Sequence, residues 1–477
     1  MNLFRSQGKE AIITRIIAGM MAVVLVAAVV LICLMASYTR AVTTIYPDSG
    51  GGTITGDSDT SNIDTTSSDA ASSDITGNLS SNSISDTNKK PISSTTSTAT
   101  SSKNNAVSSG SNASSEKPKR TDWNVMKNYA VSLYQNMIND FFPKEKEYAI
   151  LYTPKNPDDK EFSYAWPYLQ MFSTAIDMAK YGFDPNARAD ADRIYAGLEK
   201  YKSNTSVVGL AYQSYPVALG GGAIFSDDNI WIGMELLDYY ELTKKTEALD
   251  KAKKVFTYVA SQWNYKYGGL MWQGGDMIST CSTAPFSIFA SRLYQFTKEN
   301  KYLDWSKKAY DWCNKMVRDT DYTYFDAFYP SKQSVDKTKW TYNTGMMISA
   351  GVKLYQITGQ SVYKENAQKS AEGALKVFNP SHEEGYDLYP NTPWFNMLLL
   401  QGYTDLYQLD PNDKYIITFE NVLNTAWKEA RDTKGYIYPD WSGGLILDKY
   451  KYVYLLDQAS VTEAYINMAV WLKSNPK

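Results

Sequence analysis

The sequence has little histidine and little cysteine, and both shortages limit its chemistry. His382 is the single histidine and lies in a polar stretch, which disfavours Ser-His-Asp catalysis and zinc sites built from several histidines. Of three cysteines, Cys33 lies in an apolar N-terminal run, while Cys281 and Cys313 show no CxxC spacing and no further ligand set. We therefore expect no metal and no cofactor. Outside the cell, Cys281 and Cys313 could pair if two antiparallel helices bring them level, so a disulfide and two free thiols both stay open.

An excess of positive charge is also missing. The 48 Lys and Arg residues against 51 Asp and Glu give a formal net charge of −3, and the basic residues are scattered. Because proteins that bind nucleic acid present a basic surface, we expect no nucleic-acid partner. What the chain has instead is 38 Tyr and 12 Trp against 16 Phe, a bias toward rings that both stack and hydrogen-bond. Sugar-binding clefts use such rings, as ordinary cores do.

The N-terminal part of the chain predicts a membrane anchor and a stalk. Residues 17–37 form an uncharged apolar run of bilayer-spanning length, and the basic residues before it place residues 1–16 in the cytoplasm. No A-x-A site follows the run, so we predict an uncleaved signal anchor; cleavage would give a secreted protein instead. Residues 38–120 are rich in Ser and Thr and have almost no large apolar residues beyond their first few positions and scattered single ones, which predicts a disordered stalk. The expected location is the cell membrane, with residues 121–477 outside the cell as a monomeric catalytic domain.

From residue 121 onward, apolar residues recur at helical spacing in about twelve segments that come in pairs. One member of each pair has a charged face and is predicted to lie outside; the other is apolar nearly all round and is predicted to lie inside. The inner members begin near residues 164, 228, 283, 342, 393 and 456. Six such pairs predict an all-α fold, a closed (α/α)₆ barrel or toroid.

The connections between the predicted helices differ in length, and this locates the site. Turns from an inner to an outer helix are short, whereas the return connections run to about twenty residues and all gather at one end. They are rich in glycine and aromatic residues, as in Gly220–Gly222 and Tyr267–Trp272. Long loops on a rigid scaffold commonly build a site, so we expect the functional residues at this end.

The best catalytic candidates are Asp227 and Asp228, which follow the glycine triplet and open a predicted inner helix. Cleavage of a glycosidic bond needs one ionised and one protonated carboxyl group. The helix N-terminus favours an ionised carboxylate, and its neighbour is repelled toward the protonated form. The alternative is a plain helix cap. Asp158-Asp159, in a solvated turn, shows that an aspartate pair alone proves little.

These residues also carry a resemblance. The stretch DDNIWIGMELLDYYELTKKTEALDKAKKVFTYVASQW, residues 227–263, followed by GGLMWQ at 268–273, resembles glycoside hydrolase family 76, which contains endo-α-1,6-mannanases. Residues 278–297, 340–345 and 457–460 extend the resemblance over roughly residues 120–475. It implies an (α/α)₆ barrel and a retaining mechanism, with Asp227 as nucleophile and Asp228 as acid/base. The implied substrate is an α-mannan polysaccharide.

Six further residues are weaker candidates for substrate binding. Trp272, Tyr342 and Trp394 are predicted as stacking platforms for pyranose rings, and Asp276, Asn343 and Gln458 as ligands of sugar hydroxyls at inner-helix entrances. Packing, helix caps and loop-bridging hydrogen bonds account for such residues equally well.

The expected function is extracellular hydrolysis of α-1,6-linked mannan. Transglycosylation, in which a sugar hydroxyl replaces water, is the nearest alternative. A non-catalytic glycan-binding surface protein is another, and the intact aspartate pair argues against it. Epimerases of similar shape are expected to use histidines, and lyases need a basic cleft for acidic substrates, so both are less favoured.

Overall fold

The computed structural model describes residues 120–205, 207–442 and 450–476. The predicted cytoplasmic segment, the membrane anchor at 17–37 and the stalk up to residue 119 lie outside this part of the chain. Its α-helices are α1 Trp123–Phe141, α2 Ala165–Lys180, α3 Ala187–Gly197, α4 Ser226–Thr243, α5 Thr246–Ser261, α6 Thr280–Thr297, α7 Asn300–Met316, α8 Thr341–Thr358, α9 Ser361–Phe378, α10 Pro393–Tyr407, α11 Lys414–Glu429 and α12 Leu455–Ser474. Within the described ranges, no helix is long and apolar enough to span a bilayer.

Six of these helices form a closed inner ring. Helices α2, α4, α6, α8, α10 and α12 each contact the next, and α12 contacts α2. The helices α3, α5, α7, α9 and α11 pack outside the inner helix that precedes them, and α1 packs against α12 to complete the sixth pair. The described fold is therefore a helical barrel of inner and outer helices, in agreement with the repeat in the sequence.

Burial separates the two kinds of helix as their composition predicts. In inner helix α8, every residue from Thr341 to Val352 is buried, because the helix is covered by two ring neighbours and an outer partner. In outer helix α5, the buried residues Ala248, Ala252, Val255 and Val259 recur every three or four positions along one face.

Helices α8 and α10 cross at a pair of glycines. A Cβ atom added at Gly345 would lie 2.5 Å from the carbonyl oxygen of Leu398, and one added at Gly402 would lie 2.6 Å from the carbonyl oxygen of Gly345. Both distances are far below van der Waals contact. Only glycine lets the two helix backbones approach this closely.

Three inner helices end in the same tight turn. A threonine in the last turn of α4, α6 and α8 donates its hydroxyl to the carbonyl four residues earlier. A left-handed residue follows, with φ of 60°, 60° and 70° at Lys244, Lys298 and Gly359. The outer helix then starts after one more residue, so the long connections are left at the opposite end of the barrel.

Short strands in these long connections pair with one another and hold the loops together. Strands β1 (Tyr152–Thr153) and β5 (Val453–Tyr454) pair antiparallel and join the α1–α2 and α11–α12 loops where the ring closes. Strands β2 (Ile278–Ser279), β3 (Phe325–Tyr329) and β4 (Ser334–Lys339) form an antiparallel sheet in the order β2-β3-β4. The all-α prediction thus misses two small sheets, whose strands are too short for a periodic pattern to be recognised.

The disulfide that the sequence left open is not formed. Cys281 and Cys313 are both buried free thiols. Cys281 lies in the first turn of α6 and its thiol faces Asp227, which places it in the site rather than against α7.

Candidate active site

Hydrogen bonds hold the start of α4 against two loops, the loop that precedes it and the connection between α5 and α6. Ser226 donates its N–H to the carbonyl of Trp272 at 2.7 Å and its hydroxyl to that of Met271 at 2.6 Å. Asn229 accepts the N–H of Tyr212 at 2.8 Å and donates to the Tyr212 carbonyl at 3.0 Å. The two residues between these anchors, the predicted aspartate pair, are thereby held at a fixed place on the loop end of the barrel.

Asp227 accepts hydrogen bonds on both carboxyl oxygens. Its Oδ2 accepts the indole N–H of Trp272 at 2.9 Å and faces the thiol of Cys281 at 3.6 Å. Its Oδ1 accepts the backbone N–H of Asp228 at 3.1 Å. Burial raises the pKa of Asp227 to about 6, and these donors hold it from rising further because they favour the ionised form.

Asp228 has the opposite surroundings. Consecutive helix residues point about 100° apart, so its carboxyl is turned away from the donors that serve Asp227. Burial raises the pKa of Asp228 well above its usual range, and the charge of Asp227 raises it further. Both side chains stay partly exposed, so they can be reached from outside. Asp227 is thus the member of the pair that ionises first, and Asp228 the member that keeps its proton.

The predicted stacking residues Tyr342 and Trp394 lie in an aromatic layer across the barrel. The Trp394 ring contacts Trp166, Trp231 and Tyr342 at centroid distances of 4.9, 5.3 and 5.7 Å, and its indole N–H donates to Gln170 at 2.9 Å. Tyr342 and Trp394 are 8% and 7% exposed. In the structure, Tyr342 and Trp394 mainly pack against neighbouring rings. Stacking of a sugar on their exposed edges stays a prediction.

Trp272, predicted as a stacking platform, has a contact that was not predicted, and stacking of a sugar on its ring stays a prediction. Its indole N–H is directed at Asp227, and its ring tilts against Phe225 at a centroid distance of 4.8 Å. The residue therefore orients the candidate nucleophile, a role that neither its type nor its position in the sequence indicated.

Gln458 is not directed into the site. Its amide accepts the N–H of Ile437 at 3.2 Å and donates to the Ile437 carbonyl at 2.7 Å, so both ends hold the α11–α12 loop. A side-chain hydrogen bond of this kind recurs at the fourth residue of five inner helices. Each of these residues bonds to the backbone of the preceding loop: Asn229, Thr283, Thr344, Asn396 and Gln458. Gln458 thus holds a loop in place in the structure, and its predicted sugar contact stays a prediction.

Asp276 likewise bridges two loops. It accepts the N–H of Ser331 at 2.8 Å and also the Ser331 hydroxyl, which ties the α5–α6 connection to the hairpin of β3 and β4. This contact fixes the rim of the site, and a sugar contact by Asp276 remains a prediction.

Asn343 leads to a carboxyl group that sequence reasoning missed. Its amide donates to Asp326 on β3 at 3.4 Å. Burial raises the pKa of Asp326 to about 6, and the charges of Asp336 and Asp227 raise it further, so Asp326 lies near enough to Asp227 for the two carboxyl groups to interact. Nothing in the sequence singles out one aspartate in a short strand.

Asp457 and Cys281 were missed as well, although a signal existed. Asp457 is the third residue of α12, the position that Asp228 holds in α4, and burial raises its pKa to about 7. Cys281 is the second residue of α6, the position of Asp227. An alignment of the six inner-helix starts within the sequence places Asp457 level with Asp228 and Cys281 level with Asp227. Within the described ranges, no three His, Cys, Asp or Glu side chains are grouped as metal ligands.

Two neighbouring carboxyl groups of unequal pKa, exposed at the loop end of a helical barrel, match the chemical requirement of a glycoside hydrolase. The comparison with known proteins agrees with this class. Residues 125–476 match glycosyl hydrolase family 76, and the chain belongs to this family.

Relatives of this chain are named as mannan-cleaving enzymes. A putative mannan endo-1,6-α-mannosidase from Schizosaccharomyces pombe is 29% identical over 170 residues, 32% of this chain; the chain spans 38% of the length of that relative. The solved structure of a family 76 mannosidase from Bacteroides thetaiotaomicron VPI-5482 matches with a TM-score of 0.66 and 25% identity, over 74% of this chain and all of the other. An inactive α-1,6-mannanase variant of Salegentibacter sp. HEL1_6, with two consecutive aspartates replaced by asparagine and α-1,6-mannotriose bound, has the same fold at TM-score 0.60 and 20% identity, over 73% and 100%.

Proposed function

We propose that this protein hydrolyses α-1,6-linked mannan, or a related α-mannoside polysaccharide, by a retaining double displacement. The observation that carries the proposal is the unequal environment of the two adjacent aspartates. Asp227 is surrounded by hydrogen-bond donors, and Asp228 lies beside its charge without such donors. The names of the relatives supply the substrate class.

The first step uses both residues at once. Asp228 gives its proton to the glycosidic oxygen, and the Asp227 carboxylate attacks the anomeric carbon as the bond to that oxygen breaks. The leaving sugar departs with the proton, and a glycosyl ester forms on Asp227. In the second step Asp228, now ionised, takes a proton from water while that water attacks the anomeric carbon and releases Asp227. Both carboxyl groups return to their starting state.

Trp272 and Cys281 assist as positioning residues. Both present a hydrogen to the same oxygen of Asp227, which leaves the other oxygen with only a backbone donor. They stabilise the ionised form of Asp227 and fix the orientation of its carboxyl plane. Neither touches the proposed reacting atoms.

The proposal includes a location. The apolar run at 17–37 would anchor the chain in the membrane, and residues 38–120 would let the barrel reach a polysaccharide outside the cell. Protease treatment of intact cells that express the chain tests this: the barrel should be released while the cells remain closed. A barrel that stays protected until the cells are lysed contradicts the location.

The activity is tested with a panel of polysaccharides. The purified protein is expected to release oligosaccharides from linear α-1,6-mannan and to leave α-1,2-linked mannan, α-glucan and β-mannan uncut, because only the first offers the expected linkage. Chromatography of the products measures this. Binding to α-1,6-mannan without any release would favour a glycan-binding protein, and products longer than the substrate would favour transglycosylation.

A further inference from the structure

A second cavity lies inside the barrel, away from the aspartate pair. It has a volume of about 560 Å³, and neither Asp227 nor Asp228 lines it. Gln170 and Trp231 line its inner end and contact Trp394, so the aromatic layer separates it from the loop end. It extends to Asn475, just past the end of α12, and thus runs toward the short-turn end of the barrel.

Acidic residues outnumber basic ones in the cavity wall. Its charged lining residues are Asp177, Glu235, Asp238, Glu241, Asp405 and Glu463 against Lys180, Arg292 and Lys353. The positive charge of Arg292 is already paired, because its guanidinium donates two hydrogen bonds of 2.7 and 2.5 Å to Asp238. The inner helices also point their C-terminal ends toward this side, and their free carbonyl groups add negative potential.

Several polar atoms in the wall have no hydrogen-bond partner. Glu235 and Glu463 are 7% and 4% exposed, and Oε2 of each is buried without a partner. The side-chain nitrogen of Gln170 and the hydroxyl of Ser349 are also buried without a hydrogen-bond partner. Buried polar atoms are nearly always paired in folded proteins, so unpaired ones facing a cavity indicate a missing ligand.

Burial raises the pKa of Asp177, Glu235 and Glu463, and the neighbouring carboxyl groups raise it further. Glu235 feels the charges of Asp238, Asp177 and Arg292 and has a side-chain hydrogen bond with Ser173. Glu463 has side-chain hydrogen bonds with Asp177 and Thr174 and also feels the charge of Glu235. The three carboxyl groups come from three different helices, α2, α4 and α12, so they converge on the cavity from separate sides.

From this geometry we propose that the cavity is a binding site for a small organic ammonium compound. An ammonium group carries three N–H donors, which suits a cavity wall with unpaired carboxyl oxygens. The space is far larger than one metal ion, and in the described part of the chain no side chains are grouped as metal ligands. Trp231, Tyr181, Phe296, Tyr407 and Trp471 also line it, and aromatic faces attract alkylammonium groups.

Titration calorimetry with putrescine tests the proposal, with 1,4-butanediol as an uncharged probe of the same length. Putrescine should bind and butanediol should not. Glu235→Gln and Glu463→Gln should each weaken putrescine binding by about tenfold or more, since one charge-assisted hydrogen bond is lost. Glu365→Gln, an exposed position on α9, should leave it unchanged.

Both glutamine variants are expected to fold, because removing a buried, poorly compensated carboxyl group relieves the native state. Their melting curves verify this before titration. Absence of putrescine binding, equal binding of butanediol, or binding that ignores both glutamine substitutions overturns the proposal. The result is independent of the proposed mannan hydrolysis, because no group at this cavity takes part in it.

Discussion

Asp227→Asn is expected to lower kcat/KM on α-1,6-mannooligosaccharides by about 10⁴-fold or more, because the variant has no nucleophile. Asp228→Asn should cost about 10²- to 10⁴-fold, the usual contribution of general acid and base catalysis. Initial rates measured by oligosaccharide chromatography give both values. Asp304→Asn, exposed on outer helix α7, is the matched control and should change the rate less than twofold.

Azide separates the two roles. In the Asp228 variant, an aryl α-mannoside with a good leaving group still forms the ester on Asp227, and azide then displaces it to give the α-mannosyl azide. In the Asp227 variant, azide attacks the substrate directly from the opposite face and gives the β-mannosyl azide. The reverse pattern would exchange the roles assigned to the two aspartates, and unchanged activity in both variants would remove the pair from the mechanism.

The second large expected effect is on pH dependence. The active form holds Asp227 ionised and Asp228 protonated, so kcat/KM should rise as pH increases through about 6, the pKa of Asp227. It should fall again at higher pH as Asp228 loses its proton, since the pKa of Asp228 lies above that of Asp227. A rate that increases steadily as pH falls below 5 contradicts this assignment, because Asp227 would then be protonated.

The pH profile of kcat/KM also tests Trp272 and Cys281, which donate to Asp227. Trp272→Phe removes the indole donor, so the pKa of Asp227 should rise and the acid side of the profile should move to a pH about 1 higher. Cys281→Ala should move it in the same direction by less, and Cys281→Ser should restore it because a hydroxyl also donates. Trp305→Phe on α7 serves as the control. A purely structural role for Trp272 and Cys281 would lower activity without moving the profile.

Much of the barrel follows from the sequence, for a physical reason. An inner helix is enclosed on all sides and an outer helix on one side only, so composition separates the two kinds. The predicted inner starts near residues 228, 342 and 456 lie within two residues of the observed starts at Ser226, Thr341 and Leu455. The pairing of α1 with α12 could not be predicted, since that contact joins the two ends of the domain and leaves no local pattern.

The site is predicted only in part, because its details depend on contacts between loops. Asp227 and Asp228 could be predicted as the catalytic pair, since their chemistry and their place after a glycine triplet are both local features. The thiol and indole that converge on Asp227 come from 54 and 45 residues away. At Gln458 the local pattern suggests a ligand contact, whereas the hydrogen bonds of its amide go to the loop backbone at Ile437, a contact that the sequence does not reveal.

The configuration of the first product tests the central claim most directly. Proton NMR during hydrolysis of an α-1,6-mannooligosaccharide shows the new reducing end before mutarotation equilibrates it. The mechanism assigned to Asp227 and Asp228 predicts the α-anomer as the first product, because two successive inversions retain the configuration. The β-anomer appearing first would mean a single displacement by water, and Asp227 would then not be a nucleophile.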